Sequence, residues 1–249
     1  MEWLESDGVR WLQADLGSAR AAFTTRTGGV SEAPFDSLNL GVLTDDTNEA
    51  VVENRRRLAS ALGLAAERIP IGLQVHGAEL AFHAGPQEPS PFAQPGSEIP
   101  KVDGHIVRAA GLAPLVFVAD CLPVALCGPR GVAMLHCGWR GLAAGIVAGG
   151  AEAVGATAAA IGPGIGPCCY EVGDEVLDAF SGLGDGIADG RMLDLPEVAR
   201  RLLGEAGVTR VESAGLCSSC EPELFFSHRR DNGRTGRQAG IAWIEPGED

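Results

Sequence analysis

His76, Cys121 and His136 share one local setting: each closes a run of apolar residues and is followed by residues that break it. Two imidazoles and a thiolate make a good donor set for Zn²⁺. Three protein ligands leave the fourth tetrahedral position open for water or substrate, which is the arrangement of catalytic zinc sites. Zinc held this way lowers the pKa of its water toward about 7. The spacings, 45 and then 15 residues, match no short metal motif. Three unrelated core residues are therefore the competing reading, and only a fold that gathers three strand ends at one rim makes a site. Copper is the rival metal, because two histidines, a cysteine and a weak methionine form blue-copper sites. Met134 lies two residues before His136 on the same run. A reducing environment favours zinc.

The stretch 132–141 carries the third of these residues. Four strand-like positions run into His136-Cys137-Gly138-Trp139-Arg140-Gly141, and a small-residue helix is expected from Leu142 to about Val154. A strand-to-helix turn sets its last side chain at a sheet rim beside free backbone N–H groups, which suits an anion or a metal-bound ligand. The ordinary alternative is a histidine ending a buried strand and an arginine capping a neighbour.

Strands are expected over 21–25, 69–75, 102–107 and 115–121, then as a hairpin of 124–127 and 132–135 around Gly128-Pro-Arg-Gly131. Further strands are 158–161, one before Cys217, and 238–244. In Ser37-Leu-Asn39-Leu-Gly41, Asn39 suits the backbone bonding common to loop asparagines. Asp46 and Glu49 read as a capping box for a helix carrying Asn54 and Arg55; a solvated face shared with Arg56 and Arg57 is the ordinary alternative to a binding role for Arg55. Helices are expected around 174–180 and 196–206, the second capped by Asp194. Residues 84–100, rich in proline and glycine, form a surface loop able to cover a site. Gly162-Pro-Gly-Ile-Gly166-Pro mimics a phosphate loop, but its prolines remove donors, so a structural turn is the better reading. Cys217-Ser-Ser-Cys220 has the spacing of half a zinc site or a redox pair. No second such pair exists, and it is read as structural or incidental.

The 249 residues are 45% hydrophobic and 21% charged, ample for a buried core, and prolines and glycines are scattered with no linker. One domain over 1–249 is expected. A net charge of −14 opposes broad nucleic-acid or anionic-membrane binding, which needs a basic face, but permits a small anion held by a few arginines. No apolar run approaches the roughly 20 residues of a membrane span, and the start Met1-Glu-Trp-Leu-Glu is not a signal peptide. Seven cysteines in such a chain read as reduced thiols or metal ligands, so the expected location is the cytoplasm.

Ordered motifs then carry a family resemblance. They are Thr24-Thr25-Arg26-x-Gly28-Gly29-Val30-Ser31, Ser37-Leu38-Asn39-Leu40-Gly41, Asn54-Arg55, Gln74-Val75-His76-Gly77 and Ala119-Asp120-Cys121-x-Pro123. His136-x-Gly138-Trp139-Arg140-Gly141, Tyr170-Glu171-Val172-Gly173 and Leu224-Phe225-Phe226-Ser227-x-Arg229 continue them. Over about 20–244 the chain resembles the YfiH-like family. Its members are often labelled multicopper polyphenol oxidases or laccase-domain proteins and are also regarded as zinc-dependent purine nucleoside phosphorylases that deaminate adenosine. The resemblance implies an α+β domain of mixed β-sheets flanked by helices, with the metal site at strand ends on His76, Cys121 and His136. Histidine stands at 228 where the family often has tyrosine, and the Cys217–Cys220 segment differs in detail.

The implied reaction is phosphorolysis of adenosine, inosine or methylthioadenosine to free base and a ribose 1-phosphate. It needs an oriented phosphate, for which the planar arginine fork is suited. Arg26, Arg55, Arg140 and Arg229 are the candidates, with Asn39 beside them as a substrate-binding residue and Arg140 favoured for its place at a helix start. Asp120 is the candidate proton-handling group or the carboxylate that fixes a metal ligand; a strand-end cap is its ordinary alternative. In the deaminase side reaction a zinc-activated water would attack C6 of adenine. Two other activities compete: amide hydrolysis of a cell-wall (peptidoglycan) precursor, and copper-dependent phenol oxidation, for which three ligands are too few to build a multicopper cluster. A zinc-stabilised interaction domain is the non-enzymatic reading.

Overall fold

The structure is a computed structural model describing residues 1–96 and 99–245. In chain order the first elements are β1 (Glu2–Ser6), β2 (Val9–Asp15), β3 (Ala19–Thr24), α1 (Asn48–Ala61), β4 (Leu80–His83), β5 (Gly104–Val107) and β6 (Leu115–Val118). The central hairpin β7 (Leu122–Gly128) and β8 (Gly131–Cys137) follows, then α2 (Trp139–Ala143), α3 (Ile146–Val154) and β9 (Ala158–Ile161). The remainder is α4 (Asp174–Ala179), the short pair β10 (Ala188–Asp189) and β11 (Met192–Leu193), α5 (Leu195–Glu205), β12 (Arg210–Ser213) and β13 (Gln238–Ile244).

Side-chain alternation in the hairpin sets the layers. Leu122, Val124, Leu126 and Leu135 point to one face, Ala125, Cys127, Val132 and Met134 to the other, and both faces are buried. A strand without polar alternation must be covered on both sides. The hairpin lies in a six-stranded mixed sheet, order β12-β9-β7-β8-β5-β4, with parallel pairs only at its two edges. A second sheet, order β1-β2-β3-β13-β6, is antiparallel throughout. The sheets pack face to face through Leu12, Phe23 and Val116 against Ala125, Met134 and Ala160. Outside them, α3 and α5 cover the mixed sheet, and α1 covers the antiparallel one. This is the α+β class with mixed sheets flanked by helices. Among the described residues no helix is long and apolar enough to cross a membrane.

Three local expectations are corrected, and one hairpin is added. Residues 69–75 make only the single bridge Leu73–Lys101, not a strand. Side chains satisfy their backbone instead: Gln87 bonds both N–H and C=O of Ile71, and Asp103 takes the N–H groups of Val75, His76 and Gly77. The helix expected over 142–154 is broken at Gly145, whose φ of +88° ends the short α2 before α3 begins. Thr47, not Asp46, caps α1, accepting from Ala50 N, while Asp46 turns back to Ser31 and Asn39. The hairpin β1–β2 was not anticipated: β1 is an edge strand whose burial pattern gives little apolar periodicity. Asp194 caps α5 as expected, its carboxylate accepting from Glu197 N. Within the 84–100 loop, Pro91, Pro95, Gly96 and Ile99 border the large cavity; residues 97 and 98 lie outside the described residues.

Candidate metal centre and its cavity

His136 is the penultimate residue of β8, Cys121 lies in the bend between β6 and β7, and His76 sits in a turn before β4. Their ligand atoms all lie within 4.8 Å of one another. The two imidazoles meet edge to face at 4.9 Å between centroids. His76, within the trio, and Asp120, next to Cys121, both have positive φ, +61° and +92°. Gly138 closes in from α2's first turn: a Cβ there would stand 3.0 Å from Cys121 Sγ and 3.2 Å from His76 Cδ2.

One carboxylate organises both histidines. Asp103, 0% exposed, accepts three consecutive backbone N–H bonds across the His76 turn at 2.8–3.0 Å and a 2.7 Å bond from His136 Nδ1. With a carboxylate on Nδ1 one proton belongs there, and Nε2 would become the metal-facing lone pair once a metal displaces the proton that the Cys121 thiolate favours on the metal-free ring. Burial opposes ionisation of Asp103, but the bonds from His136, Gly77 and Val75 outweigh it and hold its pKa below the ordinary value. Burial likewise opposes a Cys121 thiolate, yet the charge of His136 and hydrogen bonds from both imidazoles bring it down to about 6. A histidine–thiolate–histidine set with the thiolate already favoured matches the chemistry of a zinc site.

The trio forms part of the wall of a cavity of about 860 Å³, which Arg55, Tyr170, Arg229 and Arg237 also border. Its size is that of a small-molecule site. Arg55 is 1% exposed, donates to the carbonyls of Leu40, Pro91 and Phe92, and stacks on Phe92 and Phe117. Its Nη2 is buried without a partner among the described residues, and burial alone lowers its pKa to about 10. Burial rules out the solvated-face alternative for Arg55: it is a buried cation with no acidic partner among the described residues. Arg237 is half-buried, its pKa lowered by burial. Arg229 donates to Glu171 O at 3.0 Å and lies over the Tyr170 ring. Burial first, and then the Cys121 thiolate, raise the Tyr170 pKa to about 12, so its hydroxyl keeps its proton at neutral pH.

Of the other candidates, Arg26, Asn39 and Arg140 do not line this cavity. Arg26 donates to Asp36 O and Pro222 O and stacks on Phe226. Asn39, fully buried, spends its side chain on Gly41, Thr44, Asp46 and Arg237 N, the ordinary loop role. Arg140 is exposed over Trp139 on a helix of only five residues, too short for a strong N-terminal dipole. Asp120 borders the cavity, but its oxygens take Ser218 Oγ and Arg229 N at 2.7 Å each. It therefore fixes the Arg229 loop, whereas the carboxylate bonded to a candidate metal ligand is Asp103. Met134 is buried between the sheets, its sulfur close against Gly240, and is not the axial ligand a blue-copper site needs. Sequence reading missed Asp103, Tyr170 and Arg237 as site residues. Asp103 carried one usable signal, an acid immediately before the glycine that opens a buried strand.

Residues 20–245 match the family described as multi-copper polyphenol oxidoreductase laccase. A Pseudomonas aeruginosa protein named purine nucleoside phosphorylase is 39% identical, over 94% of this chain and 98% of that protein. The Escherichia coli purine nucleoside phosphorylase YfiH is 37% identical, over 90% and 93%. Among solved structures, YlmD of Geobacillus stearothermophilus superposes with a TM-score of 0.88 at 35% identity, covering 98% of each chain. Bacillus licheniformis YfiH superposes with a TM-score of 0.87 at 32% identity, covering 98% and 99%. With its fold, its full-length relatives and its histidine–cysteine–histidine cluster in agreement, the chain belongs to the YfiH-like, laccase-labelled family.

Proposed function

We propose that this protein is a zinc-dependent purine nucleoside phosphorylase of the cytoplasm, with adenosine deamination as a side activity. The observation that carries the reading is a set of three candidate metal ligands on the wall of a nucleoside-sized cavity that also holds arginines with no acidic side-chain partner among the described residues. The names of the full-length relatives point the same way.

In phosphorolysis a phosphate oxygen forms a bond to C1′ of the ribose while the C1′–N9 bond breaks and its electron pair leaves with the purine. Arg237 and Arg229 hold and orient the phosphate, and Arg55, whose Nη2 has no partner among the described residues, adds a fixed positive charge to the same cavity. Tyr170, protonated at neutral pH, offers a hydrogen-bond donor to the nucleoside. Asp120 positions Arg229 through its backbone N–H. His76, Cys121 and His136 would hold a zinc ion, which when bound would supply a Lewis acid at this wall.

Incubation of the metal-loaded protein with adenosine or inosine, with and without phosphate, tests the proposal. Free base and ribose 1-phosphate should appear only when phosphate is present. Base release that ignores phosphate would make the protein a hydrolase, and no release from any purine nucleoside would remove the assignment.

A further inference from the structure

Away from the histidine pair, four more cysteines converge. Cys168 and Cys169 lie beyond the turn after β9, and Cys217 and Cys220 beyond β12. The two segments are zipped by the parallel bridge Gly164–Cys217 and by Ser218 N donating to Gly164 O at 2.9 Å. That pairing brings all four sulfurs within 4.8 Å of one another. Cys220 Sγ stands 3.3 Å from Cys168 Sγ and 3.4 Å from Cys169 Sγ. The partner of the Cys-x-x-Cys pair is thus an adjacent pair some fifty residues earlier, invisible to a search for a second Cys-x-x-Cys.

We propose that Cys168, Cys169, Cys217 and Cys220 form a second metal site, a closed tetrathiolate that holds a structural Zn²⁺. The distances fit one ion: a Zn–S bond of about 2.3 Å makes the edge of a tetrahedron about 3.8 Å, inside the range from 3.3 Å to the 4.8 Å bound. Two adjacent thiols almost equidistant from Cys220 do not select a single disulfide partner, whereas a four-coordinate cation uses every sulfur. Gly166 N–H donates to Cys217 Sγ at 3.3 Å, a bond that favours the thiolate a metal requires. Four protein ligands leave no open position, so the role is structural and distinct from that of the cavity site.

The ion would staple the cavity wall. Cys169 O and Glu171 O both accept from Arg229, Tyr170 lies between them, and Ser218, inside the Cys217–Cys220 turn, donates to Asp120. This site does not depend on the phosphorylase reading, and its test is metal content, not turnover.

The full chain, purified under reducing conditions without added metal, is weighed by native mass spectrometry and its zinc measured by elemental analysis. Two zinc ions per chain are expected. The Cys168→Ser/Cys220→Ser double variant should keep one, and Cys121→Ala should keep the other. Cobalt-substituted wild-type protein should show the strong charge-transfer absorption of a four-thiolate site, which Cys121→Ala retains; this reading stands even where the double variant fails to fold. A single zinc lost in Cys121→Ala, with the four remaining sulfurs open to alkylation, would overturn the proposal. So would disulfides among the four in the metal-free, freshly purified chain.

Discussion

Asp103 gives the metal centre its geometry, because one buried carboxylate holds the His76 turn and the His136 tautomer together. Asp103→Asn keeps the shape but removes the charge and one acceptor, so zinc affinity should fall about 10–100-fold, as for other partners of metal-bound histidines. Competition with a metal-binding dye reads this directly; unchanged affinity would mean that the turn is held by something else. Arg237 and Arg26 separate cavity from scaffold. Losing a charge-assisted contact to phosphate costs about 1.5–3 kcal/mol, so Arg237→Ala should raise KM for phosphate by about tenfold or more. Arg26→Ala removes bonds to Asp36 and Pro222 and should act on thermal stability while leaving KM for phosphate unchanged within about threefold. Steady-state kinetics with phosphate varied at saturating inosine checks both.

At the scale of elements, two close approaches are informative. Gly138 starts α2 with φ −79°, which any residue adopts, so only space forbids a side chain there. Gly138→Ala would drive a methyl group into Cys121 Sγ and His76, and the expected outcome is a folded protein with weakened zinc binding. Circular dichroism together with metal content tests this, and full zinc occupancy would contradict it. Along the β4–β5 edge, His105 is 0% exposed and shares a 3.0 Å bond with His83. Burial is the main cause that lowers the His105 pKa to about 3. The sign follows from linkage. Above pH 6.5 His105 is neutral in both folded and unfolded chains, whereas below it the unfolded chain takes up a proton that the folded one refuses. Stability therefore falls as pH drops below 6.5 toward 3, by about 1.4 kcal/mol per pH unit from this one group. Urea unfolding at a series of pH values should show a steeper decline between pH 6.5 and 5 for wild type than for His105→Leu, and equal slopes would exclude His105 as the cause.

Over the whole molecule, the sequence made the sheet core legible where chemistry is local. The hairpin of β7 and β8, the strand Ala158–Ile161 and the last strand Gln238–Ile244 follow from uninterrupted apolar runs and turn residues. The three candidate metal ligands could be grouped because each ends an apolar run, although only the fold brings 45 and 15 residues of separation down to a few ångströms. What escaped was set by pairing across the chain. Asp103 reads as an ordinary residue before a strand until β5 docks beside the His76 turn. The four-cysteine cluster exists only because β9 and β12 run parallel. In sequence Arg55 fits either a binding role or the solvated face of its neighbours Arg56 and Arg57; of these three arginines the helix turns only Arg55 into the interior. The central claim joins the metal trio to phosphate chemistry in one cavity, and one measurement reaches it: phosphate-dependent release of hypoxanthine from inosine by wild type and by Cys121→Ala, with zinc content determined on the same samples. The account predicts ribose 1-phosphate formed only with phosphate by the wild type, and loss of both that activity and the cavity zinc in Cys121→Ala. Undiminished phosphorolysis by a Cys121→Ala protein lacking the cavity zinc would contradict it.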